Sequence, residues 1–157
     1  MTIKLIVVGK TEKLEFQKLI SEYQNRLKHY IKFELSCIAQ LKNTKNLSKE
    51  MQKAKEGELI LKQLDTSDFV LLLDEKGKQY SSMEFSSFLQ KKMNSGLKNL
   101  IFIVGGPYGF DRKVYERANM SLSLSKMTFS HQMIRVFFVE QLYRAFTILK
   151  NEPYHHQ

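Results

Sequence analysis

The run "DFVLLLD" is apolar at every position between its two aspartates. A strand with one face in water alternates apolar and polar residues. A strand covered on both faces does not, so this run points to a sheet with helices packed on each side. "IKLIVVG", with a strand at Ile3 to Val8, and "NLIFIVGG", with a strand at Asn99 to Val104, are of the same kind. Between such runs lie longer polar segments with helical spacing. Leu14, Leu19, Ile20, Tyr23 and Leu27 recur through Lys13–His29, and Phe85, Phe88, Leu89 and Met93 follow Ser82. Ser48 to Leu64 forms another helix, although Ser48 lacks the partner that would complete a capping box. Asp111 suits the N-cap of a short helix reaching Ala118. "KFELSCIA" and the alternating "MSLSLSK" are further strands, and a last helix spans His131 to Leu149, before Pro153. Strand alternating with helix predicts an α/β fold with a mainly parallel sheet flanked by helices. The 157 residues contain no repeat or linker, so one domain, 1–157, is expected.

A hydrophobic content of 43% argues against a disordered chain. The single Cys37 excludes a disulfide scaffold and points to a reducing compartment. The apolar start is too short for a signal peptide, and no run reaches membrane-spanning length, so a cytoplasmic protein is expected. The net charge of +9 attracts polyanions, RNA or DNA above all, unless the lysines merely solvate the surface.

Ligands in open α/β sheets bind beyond the carboxyl ends of strands. Three such ends carry chemistry: "LLLDEKGK", "IVGGPYG" and "LSLSKMTFSH". Familiar motifs fail here. "VVGKTEK" has Lys4 where a phosphate loop needs its first glycine. "GGPYG" places its third glycine too early for a dinucleotide fingerprint. It matches the GxxG of a KH loop, but it follows a strand instead of joining two helices. His131, His155 and His156 lack supporting ligands for a metal, and no Gly-x-Ser-x-Gly elbow is present.

The last helix is apolar almost all round. Ile134, Phe138, Val139, Leu142, Ala145, Phe146 and Leu149 fill one arc, while Glu140, Arg144 and Thr147 cluster on the other side, where Met133, Val136, Phe137, Tyr143 and Ile148 are apolar as well. Burial from two directions points to a second subunit. Arg135 falls inside the apolar arc. Either it meets an acceptor or anion there, or it reaches out to water from the first turn.

Together, "IKLIVVGK", "LLLDEKGK", "FIVGGPYGF", "LSLSKMTFSHQMIRV", "EQLYRAF" and the terminal "PYHHQ" closely resemble the ribosomal large-subunit methyltransferase H family of the SPOUT superfamily, in order and over the whole chain. The resemblance implies a C-terminal trefoil knot, which general rules of chain topology disfavour. It also implies a homodimer. The implied reaction carries a methyl group from S-adenosylmethionine to N3 of a pseudouridine in 23S ribosomal RNA, on the assembled ribosome. The implied cofactor residues are Leu73 as an apolar wall, Gly105 and Gly106 for close backbone approach, and Leu124, Ser125, Lys126, Met127, Thr128 and Phe129 wrapped around the adenine. The chain departs from the family at Ser130, where many relatives carry proline, and at His156, where a basic residue is usual. The first predicts a less rigid loop, the second a weaker RNA contact.

The N3 imide must lose its proton to attack well. A cation can favour the anion and a histidine can accept the proton. The candidates are Arg135, Arg144, Tyr154 and His155, with His155 the preferred base and Tyr154 a stacking face. Apart from the resemblance, "PYHHQ" reads as a frayed tail. Two other functions fit the same charge: a non-catalytic RNA-binding factor docking on ribosomes, and a SPOUT enzyme acting on transfer RNA. The first would not need the glycine loop and the "LSLSKM" segment together.

Overall fold

A computed structural model describes residues 1–156. The strands are β1 (Thr2–Val8), β2 (Lys32–Ile38), β3 (Phe69–Gln79), β4 (Asn99–Val104) and β5 (Met120–Ser123). The helices are α1 (Leu14–Leu27), α2 (Lys49–Leu61), α3 (Ser82–Asn94), α4 (Arg112–Arg117) and α5 (Met133–Leu149). All paired strands are parallel, in the order β2-β1-β4-β3-β5.

Side chains alternate across a strand, and that period divides the core in two. Ile3, Leu5 and Val7 of β1, with Leu100 and Phe102 of β4, face one side and pack with residues of α1, α3 and α5. Ile6 and Val8, with Ile101 and Ile103, face the other, against Ile60 of α2 and Val114 of α4. The sheet is thus covered on both faces, as "DFVLLLD" requires. Phe102 is fully buried, with Phe85 of α3 at 6.2 Å and Phe138 of α5 at 4.7 Å between ring centroids. Burial of one such ring contributes roughly 1.5–3 kcal/mol.

The helix starts follow local chemistry. Ser81 and Glu84 form a reciprocal capping box on α3. Asp111 accepts from Lys113 N on α4, and Ser48 accepts from Met51 N on α2 without a box. Two boundaries differ from the sequence reading. β3 continues past Asp74 to Gln79, with a register break after Leu73 where it pairs with β5. β5 stops at Ser123, and the rest of "MSLSLSK" turns on itself: Ser123 Oγ donates to Ser125 O and Ser125 Oγ accepts from Met127 N. The arc assignment on α5 also needs correction. Val136 and Thr147 are buried within the protomer, and the Thr147 hydroxyl bonds to Arg144 O. Phe137 stays exposed and rests on Phe129, centroids 4.9 Å apart.

Candidate active site

β3, β4 and β5 lie side by side, so their carboxyl ends and following loops converge. They enclose a cavity of about 580 Å³, within the range of roughly 300–1,000 Å³ common for small-molecule sites. Leu73, Gly105, Gly106, Leu124, Ser125, Met127, Thr128 and Phe129 all line it. Lys126, also expected there, is exposed and not among the lining residues.

The loop after β4 has an internal logic. Gly109 adopts φ +80° and its N–H donates to Gly106 O at 3.1 Å, closing the turn that brings Phe110 under the loop. A Cβ on Gly105 would stand 3.2 Å from Phe110 Cε1 and 3.3 Å from Gly109 O. A Cβ on Gly106 would stand 2.6 Å from Glu56 Oε2 of α2. The glycines therefore make room for the protein's own groups, a reason separate from any ligand's approach. Tyr108 stands at the rim with Lys49 Nζ 5.4 Å from its ring centroid.

The opposite wall is braced by two carboxylates of the β3 extension. Asp74 accepts from Tyr115 OH, and Glu75 accepts from Thr128 Oγ1. Burial and Asp74 push the Tyr115 phenol well above its ordinary range, so it stays a donor. Ser130 accepts from Met133 N at 3.1 Å and its carbonyl from Ile134 N at 3.0 Å. It thus pins the entrance to α5 with a side-chain bond that proline could not make. His131 lines the same cavity. Burial, then the charge of Arg135, push its imidazole downward, favouring the neutral ring. Asp74, Glu75, Tyr115 and His131 were not singled out as cavity residues in the sequence. The only signal was that they stand in or beside the strand-end segments; Tyr115, on α4, gave none.

The residues expected to act on the RNA divide. Arg135 is corrected. It is fully buried, and its guanidinium donates to Val8 O, Gly9 O and His131 O at 2.8 Å each and to Thr11 Oγ1 at 3.1 Å. The acceptor reading of the apolar arc holds, but the acceptors are the chain's own groups: the carbonyls of Val8 and Gly9 at the end of β1, the Thr11 hydroxyl and the His131 carbonyl. So bonded, Arg135 offers no exposed surface to an RNA and ties α5 to the end of β1.

Arg144, Tyr154 and His155 do cluster, and the tail is anchored, not frayed. Arg144 pairs with Glu140 at 2.5 Å, and its guanidinium lies 4.7 Å from the Tyr154 ring centroid. The Tyr154 hydroxyl donates to Glu140 at 3.1 Å, with Tyr23 OH 3.2 Å away. The Tyr154 ring packs edgewise on Tyr143, and burial, Tyr23 and Glu140 push its phenol upward, which favours the neutral hydroxyl. Its stacking face is partly taken by Arg144. Arg144 Nη1 lies 3.4 Å from His155 Nδ1. A guanidinium only donates, so Nδ1 accepts there and the ring proton belongs on Nε2. Gln157 lies outside the described residues. None of Arg144, Tyr154 or His155 lines the cavity. Ile134 does, and Arg144 lies ten residues further along α5, about 15 Å at 1.5 Å per residue.

A parallel sheet with a glycine loop and a strand-end cavity, continued by a second looped segment into a long last helix, places the chain among the α/β proteins that hold a small molecule beyond the carboxyl ends of their strands. The family described as "Predicted SPOUT methyltransferase" matches residues 1–155, and the chain belongs to it. It is an enzyme of that family, whose methyl donor is S-adenosylmethionine. The chain is 66% identical to the Ribosomal RNA large subunit methyltransferase H of Christiangramia forsetii, over all of both chains. It is 61% identical to the protein of that name from Flavobacterium psychrophilum and 54% to that from Bacteroides thetaiotaomicron, again over the full length of each. A probable methylase family protein of Haemophilus influenzae shares the fold, with a TM-score of 0.53 at 14% identity, covering 99% of this chain and 70% of that one.

Proposed function

We propose that this one-domain chain methylates N3 of a pseudouridine in 23S ribosomal RNA on the assembled ribosome, as a cytoplasmic homodimer using S-adenosylmethionine. The observation that carries the reading is the convergence of eight of the nine expected cofactor residues on one cavity. Full-length identity to large-subunit methyltransferases favours ribosomal over transfer RNA. The cavity also argues against a purely non-catalytic ribosome-binding factor. No helix among the described residues is long and apolar enough to cross a membrane.

The cavity suits the cofactor in size and chemistry. Leu73, Leu122 and Ile134 offer apolar walls, while the glycine turn and residues 124–129 offer backbone donors and acceptors. When bound, the sulfonium supplies a methyl group already activated for displacement. The protein's task is then to hold the two reactants in line and to manage the N3 proton. Arg144 is suited to favour the imide anion. For His155 to take the proton at Nδ1, the substrate must displace Arg144 from that nitrogen.

A knotted C-terminal part fits the close approach of the β3 extension to its paired neighbour β5. A Cβ on Gly77 of the β3 extension would stand 2.6 Å from the Ser121 carbonyl carbon and 2.7 Å from Leu122 N. Only glycine lets these backbones pass. A crystal structure traced through residues 74–131 checks the threading.

Two measurements test the assignment. Gly105→Val drives extra methyl groups into Phe110 and Gly109 O. Calorimetry should find S-adenosylmethionine affinity reduced by at least about tenfold, while sedimentation shows the parental assembly. Unchanged affinity would place the cofactor elsewhere. Sedimentation of the parental protein at micromolar concentration should give a dimer. Exposed Phe137 and Phe129 and the half-buried Met133, Tyr143 and Ile148 supply the apolar surface for it. A monomer would remove the two-subunit site.

A further inference from the structure

Glu56 is a carboxylic acid where the fold gives it almost no water. It lies on α2, 3% exposed, and Oε1 accepts from Gln52 Nε2 at 3.1 Å. Among the described residues, Oε2 is the one buried side-chain oxygen or nitrogen without a hydrogen-bond partner. Its surroundings name its target. Oε2 is the atom that a Cβ on Gly106 would meet at 2.6 Å, with Glu56 Cδ and Oε1 at 3.1 Å. Glu56 does not line the cavity; it stands behind the loop that does. The next residue, Gly57, is pressed against α4: a Cβ there would meet Asp111 Cβ at 3.1 Å and Val114 Cγ2 at 3.2 Å. α2 is therefore held tightly enough for Glu56 to act as a fixed stop. A buried oxygen without a partner is costly and calls for a reason in the structure.

We propose that Glu56 is the positioning residue of the glycine loop: its carboxyl, held by Gln52, backs Gly106 and sets which way the loop's backbone faces the S-adenosylmethionine cavity. Burial pushes this carboxyl upward, with the Gln52 amide opposing. A glutamine has the shape of the carboxyl and can replace it as a stop. An alanine leaves a space into which Gly106 can move. The assignment rests on the cofactor reading above, and it deepens it by naming the group that holds the loop in place.

The test is a double-mutant cycle on Glu56 and Gly106, read by calorimetry with S-adenosylmethionine and by thermal unfolding without it. Glu56→Gln should keep affinity within about twofold. Glu56→Ala should weaken it by about tenfold, and Gly106→Ala by more, because the new methyl group meets the carboxyl. The pair Glu56→Ala with Gly106→Ala should bind no worse than Glu56→Ala alone. In cofactor-free protein the second substitution should likewise restore melting temperature lost to Gly106→Ala. In steady state Glu56→Ala should raise KM for the cofactor and leave kcat near parental, since Glu56 touches neither methyl group nor RNA. Losses that simply multiply, in both binding and melting, would overturn the proposal. So would Glu56→Gln behaving like Glu56→Ala. Parental protein that fails to bind the cofactor would overturn the assignment together with the cofactor reading. Independent losses in protein that does bind it would remove Glu56 alone.

Discussion

Deleting Tyr154 to Gln157 is expected to leave a folded protein that binds S-adenosylmethionine and transfers almost no methyl groups to ribosomes. The geometry gives the reason. The cavity is at the start of α5, and Arg144, Tyr154 and His155 are gathered toward its end. A single chain does not bring the two together. A two-fold dimer with antiparallel last helices would place each tail beside the other chain's cavity, because an isologous contact exchanges the two ends. Loss of a positioned acid–base group lowers rates by about 10²–10⁴-fold, and a loss of that size is expected. Tyr154 also anchors the tail through Glu140, Tyr23 and Tyr143, so the truncation should melt a few degrees lower. His155→Ala keeps that anchor and should lose activity without the shift in melting. Mixing the truncation with Gly105→Val should restore part of the activity, since one hybrid site then holds an intact tail and an intact cavity. Parental rates from the truncation would show that the base lies elsewhere, with His131 in the cavity wall the next group to test.

Arg135→Met should have the largest effect on stability. Methionine fits the apolar stem but supplies none of the donors. Val8 O and Gly9 O would lose their guanidinium bonds inside the fold. Each buried group left without a partner costs roughly 1–3 kcal/mol, so a total of about 3–5 kcal/mol is expected. Against a typical stability of about 5–15 kcal/mol this is a large share. Arg135→Lys should recover less than half, because one ammonium cannot span carbonyls that a planar guanidinium reaches together. Urea unfolding of the three proteins measures both effects. A variant that keeps full stability but loses methyl transfer would return Arg135 to the catalytic group.

The layered fold was legible because it rests on periods in the chain. Unbroken apolar runs require cover on both faces, and Phe85, Phe88 and Leu89 at helical spacing supply some of it. Turn chemistry set three helix starts, with Ser81, Asp111 and Ser48 each capping the helix they precede, and of these Asp111 and Ser48 were named from the sequence. The cavity loops were visible as strand ends, and the residues within them came from family resemblance. What the sequence could not supply was direction. Periodicity put Arg135 in an apolar arc but could not choose between water and the carbonyls of Val8 and Gly9, because those carbonyls lie 127 and 126 residues away along the chain. It could not place Glu56 behind Gly106, since α2 meets the β4 loop only after the strands have ordered themselves β2-β1-β4-β3-β5. Nor could it tell an anchored tail from a frayed one. Tyr154 folds back on Glu140 of α5, and it is also held by Tyr23, and Glu152 by Tyr30, contacts that exist only once α1 and α5 pack together. Local sequence sets which face of an element is apolar; which distant group that face meets is decided by tertiary packing.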